Sequence, residues 1–160
     1  MRTSLLATTT TLLAVLTFAG AAQAEPSPFH AMAGSWAGSG TLSMASGERE
    51  RLRCRAAYNV GGSGSQLRLN IRCASDSYNI DLSSDVAYRG GEISGEWAES
   101  SHNASGTIAG RASGDRIEAQ ARGQSFSAGL SLTTRGSRQV VSIRPAGAEI
   151  TAVNLELQRR

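Results

Sequence analysis

From Arg51 to Cys73 the chain alternates apolar and polar positions. Leu52, Cys54, Ala56, Tyr58 and Val60 interleave with Arg51, Arg53, Arg55, Ala57 and Asn59, and Leu67, Leu69, Ile71 and Cys73 interleave with Arg68, Asn70 and Arg72. A two-residue period sends successive side chains to opposite faces, so each run predicts a β-strand with one dry and one wet face. The glycine- and serine-rich segment 61–66 between them reads as a turn, which makes the pair a hairpin. Folded there, the hairpin sets Tyr58 opposite Leu69, Ala56 opposite Ile71 and Cys54 opposite Cys73. Facing residues of a non-hydrogen-bonded antiparallel pair lie about 4.5 Å apart at Cα, a separation that a disulfide accommodates.

The same pattern continues on both sides. Trp36, Gly38, Gly40, Leu42 and Met44 share one face of a first strand, and Tyr78, Ile80 and Leu82 alternate with Asn79, Asp81 and Ser83, with Val86 to Tyr88 as a short continuation. Further runs are Ile93/Gly95/Trp97, Gly106/Ile108/Gly110, Ile117/Ala119/Ala121, Phe126/Ala128/Leu130/Leu132, Val141/Ile143 and Val153/Leu155/Leu157. Turn signals separate them at Gly90-Gly91, His102-Asn103, Ser113-Gly114-Asp115, Gly123-Gln124, Arg135-Gly136-Ser137 and Pro145-Ala146-Gly147. No segment follows a helical period. About ten short strands spaced roughly 8–12 residues apart predict an all-β fold. Turns this short favour a meander, and a long meander closes most readily on itself. The expected fold is a single antiparallel up-and-down β-barrel of about 8–10 strands with one cross-strand disulfide, Cys54–Cys73. An outer-membrane barrel would need an apolar outer band and aromatic girdles. This chain is only 5% aromatic and turns Arg53 and Arg72 outward, which excludes that class.

Residues 1–24 read as a cleaved secretory signal: Arg2 gives the positive start, the apolar stretch runs from Leu12 to Phe18, and Ala22-Gln23-Ala24 supplies the cleavage site. That apolar stretch falls short of the roughly 20 residues a bilayer span requires. The mature protein is therefore expected to be periplasmic or secreted and not membrane-spanning, with residues 25–32 as an extended leader and 33–160 as the barrel domain. In an exported chain two cysteines normally oxidise, although two buried free thiols are the alternative. No C-x-x-C motif is present, so the pair is read as structural.

All 16 basic side chains are arginines, and the formal net charge is +3, which is not the balance of a nucleic-acid-binding domain. Arg49, Arg51, Arg53, Arg55, Arg68 and Arg72 precede an acidic block that contains Asp76, Asp81, Asp85, Glu92, Glu96 and Glu99. In a meander these blocks fall on neighbouring strands, where cross-strand pairs can neutralise both. The other reading is a docking face at Arg53, Arg55 and Arg72 for an anionic envelope component, such as lipopolysaccharide or phospholipid, or for a protein partner.

The opening Gly34-Ser35-Trp36-Ala37-Gly38-Ser39-Gly40 resembles the G-x-W start of calycin-type barrels, which include lipocalins and fatty-acid-binding proteins. Its G-x-W-x-G-x-G form is similar to nitrobindin-like haem barrels, and Leu155 to Arg159 resembles the closing strand of such folds. The resemblance implies a Trp plugging one end, a central cavity and a hydrophobic ligand. Nitrobindin-like barrels ligate iron through a late histidine, and no histidine follows His102 here. His30 lies in the leader and His102 in a polar turn, so both read as surface residues, and haem stands as a third reading. Fatty-acid-binding proteins hold a carboxylate with an inward Arg and Tyr near the last strand, where this chain has Val153, Leu155 and Leu157 on its dry face.

The inward set expected to meet a ligand is Trp36, Tyr58, Leu69, Ile71, Trp97, Phe126 and Leu130, interspersed with small residues such as Gly95, Gly106, Gly110, Ala119 and Ala121. Two arrangements stay open: a cavity for one small apolar or amphiphilic molecule, or a filled core drawn together over the glycines. Catalytic signatures are missing: there is no G-x-S-x-G, no phosphate-binding glycine loop and no lysine. Ser100-Ser101-His102 forms no dyad along a strand, and Glu92, Glu96 and Glu99 read as a solvated acidic edge. The expectation is a non-enzymatic exported binding protein without cofactor or metal. The alternative is an interaction, inhibitor or envelope-assembly module that works through the arginine face and loops.

Overall fold

The computed structural model describes residues 26–160, so the expected signal segment lies outside the described residues. Ten strands follow one another: β1 Gly34–Met44, β2 Arg49–Gly61, β3 Gln66–Ala74, β4 Asn79–Arg89, β5 Glu92–Glu99, β6 Ala104–Ser113, β7 Arg116–Gly123, β8 Ser127–Arg135, β9 Arg138–Ala146 and β10 Ile150–Arg159. Each pairs antiparallel with the next, and β10 returns to β1, which closes the barrel. The hairpin register is the one the alternation dictates, with Tyr58 opposite Leu69, Ala56 opposite Ile71 and Cys54 opposite Cys73. The cysteines form the disulfide, their Cα atoms 4.1 Å apart.

The run from Tyr78 and its continuation at Val86 to Tyr88 form a single strand. The strand from Asn79 to Arg89 is continuous, and Ser84 fills the inward position between Leu82 and Val86. A serine on the dry face hides the period, but its hydroxyl donates to the Glu96 carbonyl at 2.8 Å, so burial leaves it satisfied.

The segment expected as an extended leader instead winds into a 3-10 turn at Pro28–Ala31, capped by the Ser27 hydroxyl. Its apolar side chains explain the correction: Phe29 and Met32 are completely or almost completely buried, and such burial stabilises by about 1.5–3 kcal/mol per side chain. The turn closes one end of the barrel. Phe29 meets Tyr88 edge-on at 6.0 Å, and the Trp36 indole N–H donates to the Met32 carbonyl at 2.7 Å. In the β2–β3 turn, Gly64 (φ +96°) lies against the His30 ring, in space that any Cβ would need. Arg159, at the end of β10, stacks over Trp36 at 4.4 Å and donates to the carbonyls of Ala31 and Ala33. First and last strands thus hold the plug together. Just inside it, the Tyr58 hydroxyl donates to Gln139 Oε1 at 2.6 Å, and Gln139 Nε2 donates to Thr134 Oγ1 at 3.1 Å.

Candidate functional site: an apolar cup and its rim

Burial is uneven around the barrel wall. Towards the plugged end the inward residues Tyr58, Leu67, Tyr88, Ile93, Ala112, Ile117, Leu132 and Leu157 are buried. Leu69, Ile71, Ile80, Leu82, Ile108, Leu130 and Ile143 of β3 to β9 keep partial exposure although they share the inward phase, whereas Leu42, Leu52, Val153 and Leu155 of β1, β2 and β10 are buried. Part of that exposure is on the outer wall, where Gly110, Ala119 and Leu130 help to line a groove beside Arg111, Glu118 and Arg144. The interior is thus packed most tightly under the plug and along β1, β2 and β10, and less completely along the middle of β3 to β9, an apolar inner wall that we call the cup. Inward Gly95, Gly106 and Gly110 serve close strand packing: a Cβ at each would lie 1.8–2.1 Å from a backbone carbonyl of the neighbouring strand.

The expected ligand set divides between these regions. Trp36 and Tyr58 belong to the base, where one is sealed under the plug and the other is tied to Gln139. Burial raises the pKa of the Tyr58 phenol, and the hydrogen bond to Gln139 opposes that only in part. Leu69, Ile71 and Leu130 are partly buried and packed against the core on the β3 and β8 side. Trp97 and Phe126 form a pair at the rim, with ring centroids 5.5 Å apart. Phe126 sits in the β7–β8 turn just before β8, against Gly123, and not on the strand where the alternation placed it. The Trp97 indole N–H donates to the Thr107 carbonyl at 3.1 Å, which fixes the ring beside the opening.

The rim also holds an arrangement that the alternation did not reveal. Glu99, expected on a solvated acidic edge, faces inward opposite Leu82 and Ala104 and is buried. Its carboxylate accepts the backbone N–H groups of Asp81 at 2.8 Å, Ser101 at 3.0 Å and His102 at 2.8 Å, and it lies 2.7 Å from His102 Nδ1. Burial alone would raise its pKa, but these hydrogen bonds outweigh it and hold the carboxyl below its ordinary value. His102 is in turn stacked on Tyr78, centroids 4.9 Å apart, so the ring is fixed by two contacts while its side chain stays 45% exposed. The sequence clue was the three-residue interval across a strand end: a turn can bring together residues that a strand keeps apart.

On the outer wall, the expected neutralisation of the two charge blocks holds for β3 and β4. Arg68 pairs with Asp85 at 2.8 Å and Arg72 with Asp81 at 3.1 Å. It fails for β2, where Arg51, Arg53 and Arg55 stand exposed in a groove that also takes in Arg72 and Arg160.

No protein-family model and no curated protein matches this sequence. Two solved structures have a similar fold. One is Rv2717c from M. tuberculosis, with a TM-score of 0.65 and 15% identity over 81% of this chain and 93% of that one. The other is the S-type phycobiliprotein lyase CPES from Guillardia theta, with a TM-score of 0.65 and 9% identity over 82% of this chain and 90% of that one. At these identities the likeness carries the fold alone, the closed antiparallel barrel that the G-x-W resemblance led one to expect.

The second comparison overturns one expectation. A barrel of this fold bears the name of a lyase, so the lack of a familiar catalytic motif does not make this chain a non-enzyme. Here fold does not imply function.

Proposed function

We propose that the protein is an exported barrel that binds one small apolar or amphiphilic molecule inside, against the less completely packed wall of β3 to β9. The observation that carries this reading is the incomplete burial of inward Leu69, Ile71, Leu130 and their neighbours on β3 to β9, against fully buried Trp36, Leu42, Leu52 and Leu157. Apolar surface left accessible inside a concave, preformed wall is where a ligand gains most from leaving water. The ligand's apolar part lies against that wall, with Trp97 and Phe126 beside its point of entry. Glu99, His102 and Tyr78 meet whatever polar end remains at the rim. Trp36 and Tyr58 belong to the seal and do not touch the ligand. Export is supported by the disulfide, a bond that oxidising compartments preserve.

Native mass spectrometry of protein purified without detergent tests the reading. A single retained molecule, released by acid and extractable into organic solvent, is the expected result. A chain at its apoprotein mass that takes up no fluorescent apolar probe would overturn it. A Soret band after incubation with haem would assign the cup to the third reading instead.

A further inference from the structure

We infer that the outer face of β1 to β4 is a second binding surface, distinct from the cup, for a linear hydrophilic polyanion: a glycan chain carrying sulfate, phosphate or carboxylate groups. Arg51, Arg53 and Arg55 project from alternate positions of β2, about 6.8 Å apart per step at the rise of an antiparallel strand. In register, Arg55 stands opposite Arg72 of β3, an arrangement of like charges that costs stability unless something else neutralises it. Among the described residues no carboxylate comes within 4.0 Å of Arg51, Arg53 or Arg55. Asp81 is the single acidic residue lining the groove, and it is already engaged by Arg72. The groove thus concentrates positive charge on a chain whose formal total is only +3.

The shape and the remaining lining select the partner. The floor beside the arginines is cut low by small residues of β1, Ala37, Gly38 and Ser39, so the charges flank a trough that admits a chain. Asn70, Asn79 and Ser101 add hydrogen-bonding groups suited to hydroxyls. Val140 is the one large hydrophobic that the described residues expose, and it lies on β9, outside the groove. A protein interface of ordinary kind would centre on aromatic or aliphatic anchors, a bilayer would be gripped by apolar side chains, and single-stranded nucleic acid would stack on exposed rings. The groove's own large apolar lining residues, Trp36 and Ile80, belong to the inward face, buried and half-buried, so it exposes no such anchor. Guanidiniums in a row recognise planar and tetrahedral oxyanions through paired N–H donors.

The test is fluorescence anisotropy with a labelled heparin octasaccharide, run beside neutral dextran and beside anionic phospholipid vesicles. The expected result is binding to heparin and not to dextran, weakened at least 10-fold by the triple variant R51Q/R53Q/R55Q. The same charge removed as R89Q/R122Q/R144Q, from three arginines that also lack a carboxylate partner, should change affinity less than 2-fold. The salt slope should fall by about two to three in the β2 variant, one unit for each guanidinium–oxyanion pair removed. Near-ultraviolet circular dichroism confirms that both variants are folded. Equal weakening by the two triples would overturn the proposal by reducing it to net charge. Failure to bind heparin, or arginine-dependent binding to vesicles alone, would also overturn it, the latter in favour of a membrane surface. Retention of apolar probe by both triples would show that the cup stands or falls separately.

Discussion

Tyr58 provides a sharp test of how the base of the barrel is built. Its hydroxyl is the donor to Gln139 Oε1 at 2.6 Å, and Gln139 is fully buried, with its amide nitrogen committed to Thr134. Replacing Tyr58 with Phe removes the donor, keeps the ring, and leaves a buried amide oxygen without a partner. Orphaning such a group costs about 1–3 kcal/mol. For a domain of this size each kcal/mol lowers the melting temperature by about 3–5 °C, so Y58F should melt roughly 3–15 °C below the parent. Gln139→Leu should cost a similar amount, because it leaves the Tyr58 phenol buried and unpaired. The double variant Y58F/Q139L removes both ends of the bond and should lose less than the sum of the two singles by at least about 1 kcal/mol. Urea denaturation of the four proteins measures the cycle. Additive losses, or a Y58F variant that melts with the parent, would refute the argument that this bond seals the base. Because Tyr58 lies outside the proposed ligand site, Y58F should also bind an apolar probe within about 2-fold of the parent, an affinity change of about 0.4 kcal/mol.

Two further outcomes follow from the rest of the structure. Removing the disulfide as C54S/C73S opens a loop whose ends are 19 residues apart and should cost about 3 kcal/mol, read as a lower urea midpoint with unchanged secondary structure. Glu99 has a lowered folded pKa, so its contribution is fully present above the unfolded value of about 4.3 and is lost as pH falls through the folded value. Glu99→Gln should therefore melt below the parent at pH 7, by about 1.5–3 kcal/mol, with the gap closing below about pH 4; a gap independent of pH would contradict the assignment.

The strands and their register were legible in the sequence because a closed barrel imposes one period throughout. Every inward position from Leu52 to Cys73 could be read without knowing the partner strands. What was not legible depends on groups that break that period. Ser84 and Glu99 point inward although they are polar, because a carbonyl and a set of backbone N–H groups receive them, and those partners exist only once β4 and β5 are aligned. Phe29 and Met32 lie in a short proline-containing segment with too few residues to show any period, yet they decide which end of the barrel is closed. Of the expected ligand residues, the alternation gave the face of Trp36 and Tyr58 correctly but not their depth, which is set by the plug. The arginine face was visible as a charge block, and only the register distinguished the paired members from the free ones.

The cup itself is tested most directly by a neighbouring pair on β8. Leu130 faces inward, opposite Ala119 and Ile143, and Ser131 faces outward, opposite Glu118 and Ser142. Titrating the parent, L130R and S131R with the fluorescent apolar probe N-phenyl-1-naphthylamine compares one new charge on the two sides of a single strand. The account predicts one saturable site in the parent, at least 10-fold weaker binding in L130R and unchanged binding in S131R. Absence of a saturable site in the parent, or equal effects of the two substitutions, would contradict it.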